Sequence, residues 1–190
     1  MAKKTGSRLR IIGGKWRSRM LLIADVEGLR PTTDRVRETV FNWLQPYLFG
    51  AKVLDVFAGS GVLGFEAISR EAASATLLEK NKLAIKNLNE NAKTLGAQNV
   101  TIIQTDALTW LTGCTEQFDL IFLDPPFNKG LLPDCIDLIN NSNLVKIDGW
   151  VYIESEGNLS DLPIPRHWNL FREKQAGIVM LRLFKIEAAN

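Results

Sequence analysis

Two stretches of this 190-residue chain set glycines and polar groups at intervals that suit a ligand: 53-VLDVFAGSGVLGFEA-67 and 124-DPPF-127. In the first, Gly59, Gly61 and Gly64 form G-x-G-x-x-G after an apolar run and at the start of a helical pattern, the context that a dinucleotide-binding turn requires. Glycine allows the tight turn and lets a ligand approach the backbone. Asp55 lies toward the end of that apolar run. Glu79 ends the next such run and can accept hydrogen bonds from both hydroxyls of a ribose. Asp106 follows the third run and can accept from an adenine amino group, cap a helix, or do both. In the second stretch two prolines fix φ and remove two backbone donors behind Asp124. That leaves a carboxylate and carbonyls as acceptors beside the ring of Phe127.

The glycine loop, Glu79 and Asp106 serve NAD or S-adenosylmethionine equally. Asp55 separates the two. A carboxylate at the end of the first strand is awkward beside a pyrophosphate and welcome beside the ammonium and sulfonium charges of S-adenosylmethionine. The tetrapeptide narrows the reaction: it resembles the (Asp/Asn)-Pro-Pro-(Tyr/Phe) motif of the S-adenosylmethionine-dependent methyltransferases that modify exocyclic amino groups. The amino nitrogen of a nucleobase is conjugated with its ring, so its lone pair is poorly available. Acceptors on its two N–H bonds, the Asp124 carboxylate and the Pro125 carbonyl, would draw it toward a nucleophilic geometry. Phe127 offers a stacking face for the base, worth about 1–3 kcal/mol. Such an arrangement acts mainly by proximity and orientation and requires neither a metal nor a covalent enzyme intermediate.

These residues need a scaffold that brings strand ends together, and the chain has the pattern for one. From residue 51, apolar runs at 52–57, 75–79, 100–104, 118–124 and 149–155 alternate with helical patterns near 62–70, 81–95, 106–111 and 131–141. Near-continuous apolar runs fit parallel strands covered on both faces. The alternation predicts an open, doubly wound α/β sheet with its site outside the carboxyl ends of the strands. The end departs from this: 168-WNLFREKQAGIVMLRLF-184 reads as two strands joined at Gln175-Ala176-Gly177, a terminal antiparallel hairpin. Before the core, 8-RLRIIGGKWRSRMLLI-23 reads as two short strands around Gly13-Gly14. A helix then follows within 30–48, capped by Thr33 or Asp34 and closed by Gly50.

The net charge of +2 is unevenly spread. Residues 1–24 hold seven bases and no acid, and the remainder holds sixteen bases against twenty-one acids. A basic arm of this kind suits a polyanion. Arg10, Lys15, Arg17 and Arg19 are its candidate phosphate contacts, and Trp16 is expected to pack the hairpin rather than stack on a base. At 46% hydrophobic and 23% charged residues the chain is expected to form one globular domain with a sizeable core. No run approaches the ~20 apolar residues of a membrane span. Two cysteines out of metal-like spacing, Cys114 and Cys135, read as structural thiols and fit a reducing cytoplasm. The single histidine, His167, leaves little material for a histidine-based triad or metal site.

Taken together, 11-IIGGKWRSR-19, 30-RPTTDRVRETVFNWL-44, 53-VLDVFAGSGVLGFEA-67, 124-DPPFNKGLL-132, 152-YIESE-156 and 172-REKQAG-177 resemble the bacterial small-subunit rRNA guanine-N2 methyltransferases, the RsmD family. The resemblance covers nearly the whole chain. It implies a Rossmann-like class I methyltransferase fold, with a seven-stranded, mostly parallel sheet and a basic N-terminal β-hairpin. The hairpin and a capping helix would occupy about 8–49 and the catalytic core about 51–185. The implied activity is methylation of the N2 amino group of one guanine in 16S rRNA, with the assembled 30S subunit as substrate. By position, Asp55, Gly59, Gly61 and Glu79 would bind cofactor, with Asp106 and the Ala107 backbone on adenine. Thr32 and Arg35 would close over the methionine end. Asp124, Pro125, Pro126 and Phe127 would hold the guanine, with Asn128 and Lys129 beside the base. A cytoplasmic monomer is expected. Three other readings compete: a DNA adenine or cytosine amino-methyltransferase, an NAD-dependent oxidoreductase, and a non-catalytic RNA-binding assembly factor.

Overall fold

The structure is a computed structural model that describes residues 7–24, 33–126, 129–156 and 161–188. Its core is a seven-stranded sheet. The strands are β3 (Lys52–Asp55), β4 (Ser74–Glu79), β5 (Val100–Gln104), β6 (Phe118–Leu123), β7 (Val145–Glu156), β8 (Trp168–Ala176) and β9 (Val179–Ile186), in the order β5-β4-β3-β6-β7-β9-β8. The first five are parallel, and β9 runs antiparallel to both β7 and β8. This is the doubly wound sheet with a terminal hairpin that the sequence predicts. The strand order reverses at β3. The loops after β3 and β6 therefore diverge and leave a crevice between them, the usual ligand position in such sheets.

Helices α2 (Val62–Ser69), α3 (Lys82–Leu95), α4 (Ala107–Gly113) and α5 (Leu132–Asn141) follow β3, β4, β5 and β6. Asn81 caps α3 by accepting from the amides of Leu83 and Ala84, and Gly96 ends it with φ +65°. Two apolar cores, one on each face of the sheet, bury nearly every residue of β3 and β6. Among the described residues no helix is long and apolar enough to cross a membrane.

The N-terminal segment is built into one of these cores. Strands β1 (Arg8–Arg10) and β2 (Met20–Leu22) pair antiparallel with Leu9 opposite Leu21. The expected strands around Gly13-Gly14 are shorter than the sequence pattern suggests. Residues 11–19 instead form a docking loop with a 3-10 turn at Gly14–Trp16. Ile11 and Leu21 are fully buried and Trp16 is nearly so, so Trp16 packs the hairpin as expected. Every residue of α2 is buried, because the sheet covers one side and the hairpin the other. The two polar residues of α2 on that side meet the hairpin backbone. Glu66 Oε2 accepts from the Ile12 amide at 2.9 Å, and Ser69 Oγ accepts from the Trp16 amide at 2.9 Å and donates to the Gly13 carbonyl at 2.6 Å. From α3, Asn91 both accepts from the Leu22 amide (2.8 Å) and donates to its carbonyl (3.0 Å). A Cβ on Gly14 would sit 1.8 Å from the Ser69 carbonyl oxygen, and its φ is +72°. The glycine pair therefore serves close docking rather than a two-residue hairpin turn.

Helix α1 (Asp34–Leu44) joins this arm to the sheet. Thr33 is its cap, accepting from the Val36 amide. The helix ends at Leu44 in a 3-10 turn, so Gly50 (φ +70°) shapes the entry to β3 rather than the helix end. Phe41 of α1 packs 6.0 Å from Phe122 of β6, which in turn packs 6.0 Å from Tyr152 of β7. Arg37 is fully buried between hairpin and helices. It donates to the Arg10 carbonyl at 2.8 Å, pairs with Asp34 and lies 3.8 Å from Glu66.

Candidate functional site

A cavity of about 540 Å³ opens at the carboxyl ends of the parallel strands, a volume suited to a nucleoside-sized ligand. Its floor is the loop after β3. Gly59 (φ +51°) and Gly61 (φ +75°) take the left-handed conformation that glycine allows, and Gly61 begins α2. Gly59 lines the cavity, but Gly61 does not. A Cβ on Gly61 would lie 2.4 Å from Leu88 and 2.8 Å from Phe65, so this glycine serves the turn and the packing of the loop against α3. The third glycine, Gly64, lets α2 approach β4, where its Cβ would lie 2.7 Å from Leu77.

Three carboxylates approach the cavity from successive strand ends. Glu79 ends β4 and accepts from the Gly59 amide at 3.0 Å and the Asn81 amide at 2.7 Å. It fixes the glycine loop from outside and keeps further lone pairs for a ligand hydroxyl. Asp106 caps α4, with Oδ1 accepting from the amides of Leu108 (3.1 Å) and Thr109 (3.2 Å). Asp106 lines the cavity, with Ala107 beside it. Asp55 is the most perturbed of the three. It is 1% exposed, its Oδ2 accepts from the Gly64 amide at 3.2 Å, and its Oδ1 has no hydrogen-bond partner. Burial pushes its carboxyl up to about 7; the Glu79 charge adds to this, while the Gly64 and Phe57 amides oppose it. A buried carboxylate with an unpaired oxygen in a ligand cavity is the complement of a cation.

Asp124, Pro125 and Pro126 follow β6 across the crevice and line the same cavity, so the structure joins the two sequence motifs in one site. Phe127 and Asn128 lie outside the described residues, as does Thr32. Arg35 is exposed and does not line the cavity. The helical phase of α1 turns Thr33 and Val36 inward in its place. Ala176 and Val179 complete the wall from the terminal hairpin. Among the described residues no group of three or more His, Cys, Asp or Glu could hold a metal ion.

Sequence reasoning did not single out Glu154. This residue of β7 is 6% exposed, lines the cavity beside Asp124 and accepts from the Tyr152 hydroxyl at 3.1 Å. Burial raises the carboxyl of Glu154, and burial together with the neighbouring charges of Glu154 and Asp124 raises the Tyr152 phenol. The available signal was an acid inside the otherwise apolar run 149-GWVYIES-155.

The four candidate phosphate contacts of the arm, Arg10, Lys15, Arg17 and Arg19, are all exposed. Arg10 pairs with Asp34 at 3.0 Å, Arg19 donates to the Thr94 carbonyl at 3.1 Å, and Lys15 lies 4.5 Å over the Trp16 ring. Arg17 has no protein partner among the described residues.

Residues 9–185 match the family model described as "Conserved hypothetical protein 95". Two relatives carry the name ribosomal RNA small subunit methyltransferase D. That of Escherichia coli K12 is 45% identical over 95% of this chain and 91% of its own length. That of Haemophilus influenzae is 44% identical over 93% of each. The solved structure of Escherichia coli yhhF superposes with a TM-score of 0.88 at 44% identity, covering 96% of this chain and all of that one. On this likeness across nearly its whole length, and with the two motifs meeting in one cavity, the chain belongs to the RsmD family of rRNA methyltransferases.

Proposed function

We propose that the protein transfers a methyl group from S-adenosylmethionine to the N2 amino group of a guanine in 16S rRNA, acting as a cytoplasmic monomer on the assembled 30S subunit. The observation that carries this reading is the continuity of the cavity. It runs from the Asp55, Glu79 and Asp106 carboxylates to the Asp124-Pro125-Pro126 turn. The relatives' names support rRNA as the substrate. When bound, S-adenosylmethionine supplies an activated methyl group on a sulfonium leaving group.

Each residue then has a task that its surroundings permit. Glu79 accepts from the ribose hydroxyls and Asp106 from the adenine amino group, with the Ala107 backbone alongside. Asp55 faces the cationic end, where its unpaired oxygen gains a partner. Gly59 lets the ligand approach the loop backbone. Asp124 and the Pro125 carbonyl accept the two N–H bonds of the guanine amino group and aim its lone pair. Phe127 stacks on the ring. Pro126 keeps the turn rigid, because its φ is fixed. The arm supplies phosphate contacts through Arg10, Lys15, Arg17 and Arg19, which position the rRNA without reading its sequence.

Calorimetry with S-adenosylmethionine, S-adenosylhomocysteine and NAD tests the cofactor, and Asp124→Ala tests the division of the cavity. We expect binding of the first two and none of NAD. The variant should keep cofactor affinity and lose methyl transfer by at least ~100-fold, the scale of one well-placed transition-state contact. Wild-type transfer in that variant contradicts the role given to Asp124, and tight NAD binding contradicts the cofactor.

A further inference from the structure

The guanine reading leaves one hydrogen of the base without an acceptor. The edge bearing the N2 amino group presents three N–H bonds in a row, two on N2 and one on N1. Asp124 and the Pro125 carbonyl account for the N2 pair. The fold delivers a second carboxylate to the same end of the cavity. β6 and β7 run parallel with Leu123 opposite Ile153, so Glu154 emerges beside Asp124 on the neighbouring strand. Tyr152 and Glu154 share a face of β7, as residues two apart must. The Tyr152 hydroxyl donates to Glu154 Oε2 at 3.1 Å, and Oε1 has no protein donor among the described residues. A purely structural pair would be better served by apolar side chains of the same size, because a buried carboxylate is costly unless fully paired. One anchored oxygen and one open oxygen at a cavity wall is instead the arrangement of a group that meets a ligand.

We propose that Glu154, oriented by Tyr152, accepts the N1–H of the target base and selects guanine over other amino-bearing bases; this rests on the guanine-N2 reading. Adenine and cytosine carry a ring-nitrogen lone pair beside their amino group where guanine carries N1–H. A carboxylate that attracts guanine at this position repels both of them, so one residue supplies attraction and rejection together.

The test uses 30S subunits whose target guanine is either retained or replaced by 2-aminopurine. That base keeps the amino group but has a lone pair at N1. Wild-type protein should prefer guanine in kcat/KM by roughly 10- to 100-fold, the range for losing a hydrogen bond that leaves a buried polar group unpaired. Glu154→Gln should lose a similar factor on guanine and erase the preference, because its carboxamide can donate to the lone pair. Tyr152→Phe removes the anchor and keeps the ring, so it should lower the preference severalfold. Cofactor affinity should stay at the wild-type level in both variants. If wild-type protein labels guanine N2 and Glu154→Gln keeps the wild-type preference, the proposal is overturned and the guanine reading stands. If wild-type protein labels another base, both fall together.

Discussion

Replacing Asp55 by asparagine should make the protein more stable at alkaline pH and weaken its hold on a cationic ligand. The carboxyl ionises near 3.8 when unfolded and is pushed up to about 7 when folded, chiefly by burial. Between those values the unfolded chain releases a proton that the folded chain keeps. Stability therefore falls as pH rises through this window and is flat above it. Three units or so correspond to about 4 kcal/mol. Asparagine keeps an oxygen for the Gly64 amide but places an NH2 group where Oδ1 lacks a partner, which costs about 1–3 kcal/mol. The net gain at pH 8.5 is about 2 kcal/mol, or about 4–8 °C in Tm for a chain of this size. The advantage should shrink as pH falls, cross zero at about pH 5–5.5 and become a deficit of about 1–2 kcal/mol near pH 4, where only the cost of the unpaired amide is left. Thermal unfolding of the two proteins without ligand, from pH 4 to 9, reads this directly. Titration with S-adenosylmethionine supplies the other half. Wild-type affinity should rise with pH through about 7 as Asp55 ionises, and Asp55→Asn should bind more weakly with that dependence removed. Parallel stability curves across the whole range would show that Asp55 carries no buried ionisation, and the argument for a cation at this position would fail with it.

Two further outcomes follow from the arm. Gly14→Ala forces a methyl group into the Ser69 carbonyl at a positive φ, so the hairpin should undock; faster proteolysis between β1 and β2, with more than ~2 kcal/mol lost in urea unfolding, would register it. Arg17→Ala combined with Arg19→Ala should leave the unfolding midpoint within ~0.5 kcal/mol of wild type, since both side chains are exposed. It should also weaken rRNA binding and make the slope of log K against log salt shallower by about 1–2; an unchanged slope would remove these residues from the interface.

The parallel sheet was legible because its strands are apolar runs punctuated by helical patterns, two of which begin at a side-chain cap, Asn81 and Asp106. The positions of Asp55, Gly59, Glu79, Asp106 and Asp124 followed, since a strand's carboxyl end can be read from the run itself. What escaped depends on contacts distant in sequence. Gly61 looked like a ligand-facing glycine, but its missing Cβ is filled by Leu88, some 27 positions away. Arg35 was expected over the methionine end by family resemblance, whereas the phase of α1 turns it to solvent and leaves Thr33 and Val36 on the cavity wall. Glu66 and Ser69 read as ordinary helix residues. Their purpose appears only when the Ile12 and Trp16 amides arrive from the hairpin. Glu154 was visible as an acid in an apolar run, but its place beside Asp124 needed the β6–β7 register.

The most direct measurement is methyl transfer from labelled S-adenosylmethionine to 30S subunits prepared from cells lacking this protein, with naked 16S rRNA and duplex DNA as parallel substrates. Each is then digested to nucleosides. Label in N2-methylguanosine from the 30S sample is the expected result, and it would establish cofactor, reaction and substrate together. Label confined to amino-methylated DNA bases would keep the chemistry of the Asp124 turn and contradict the substrate. No label in any sample would contradict the reading of the cavity as a methyl-transfer site.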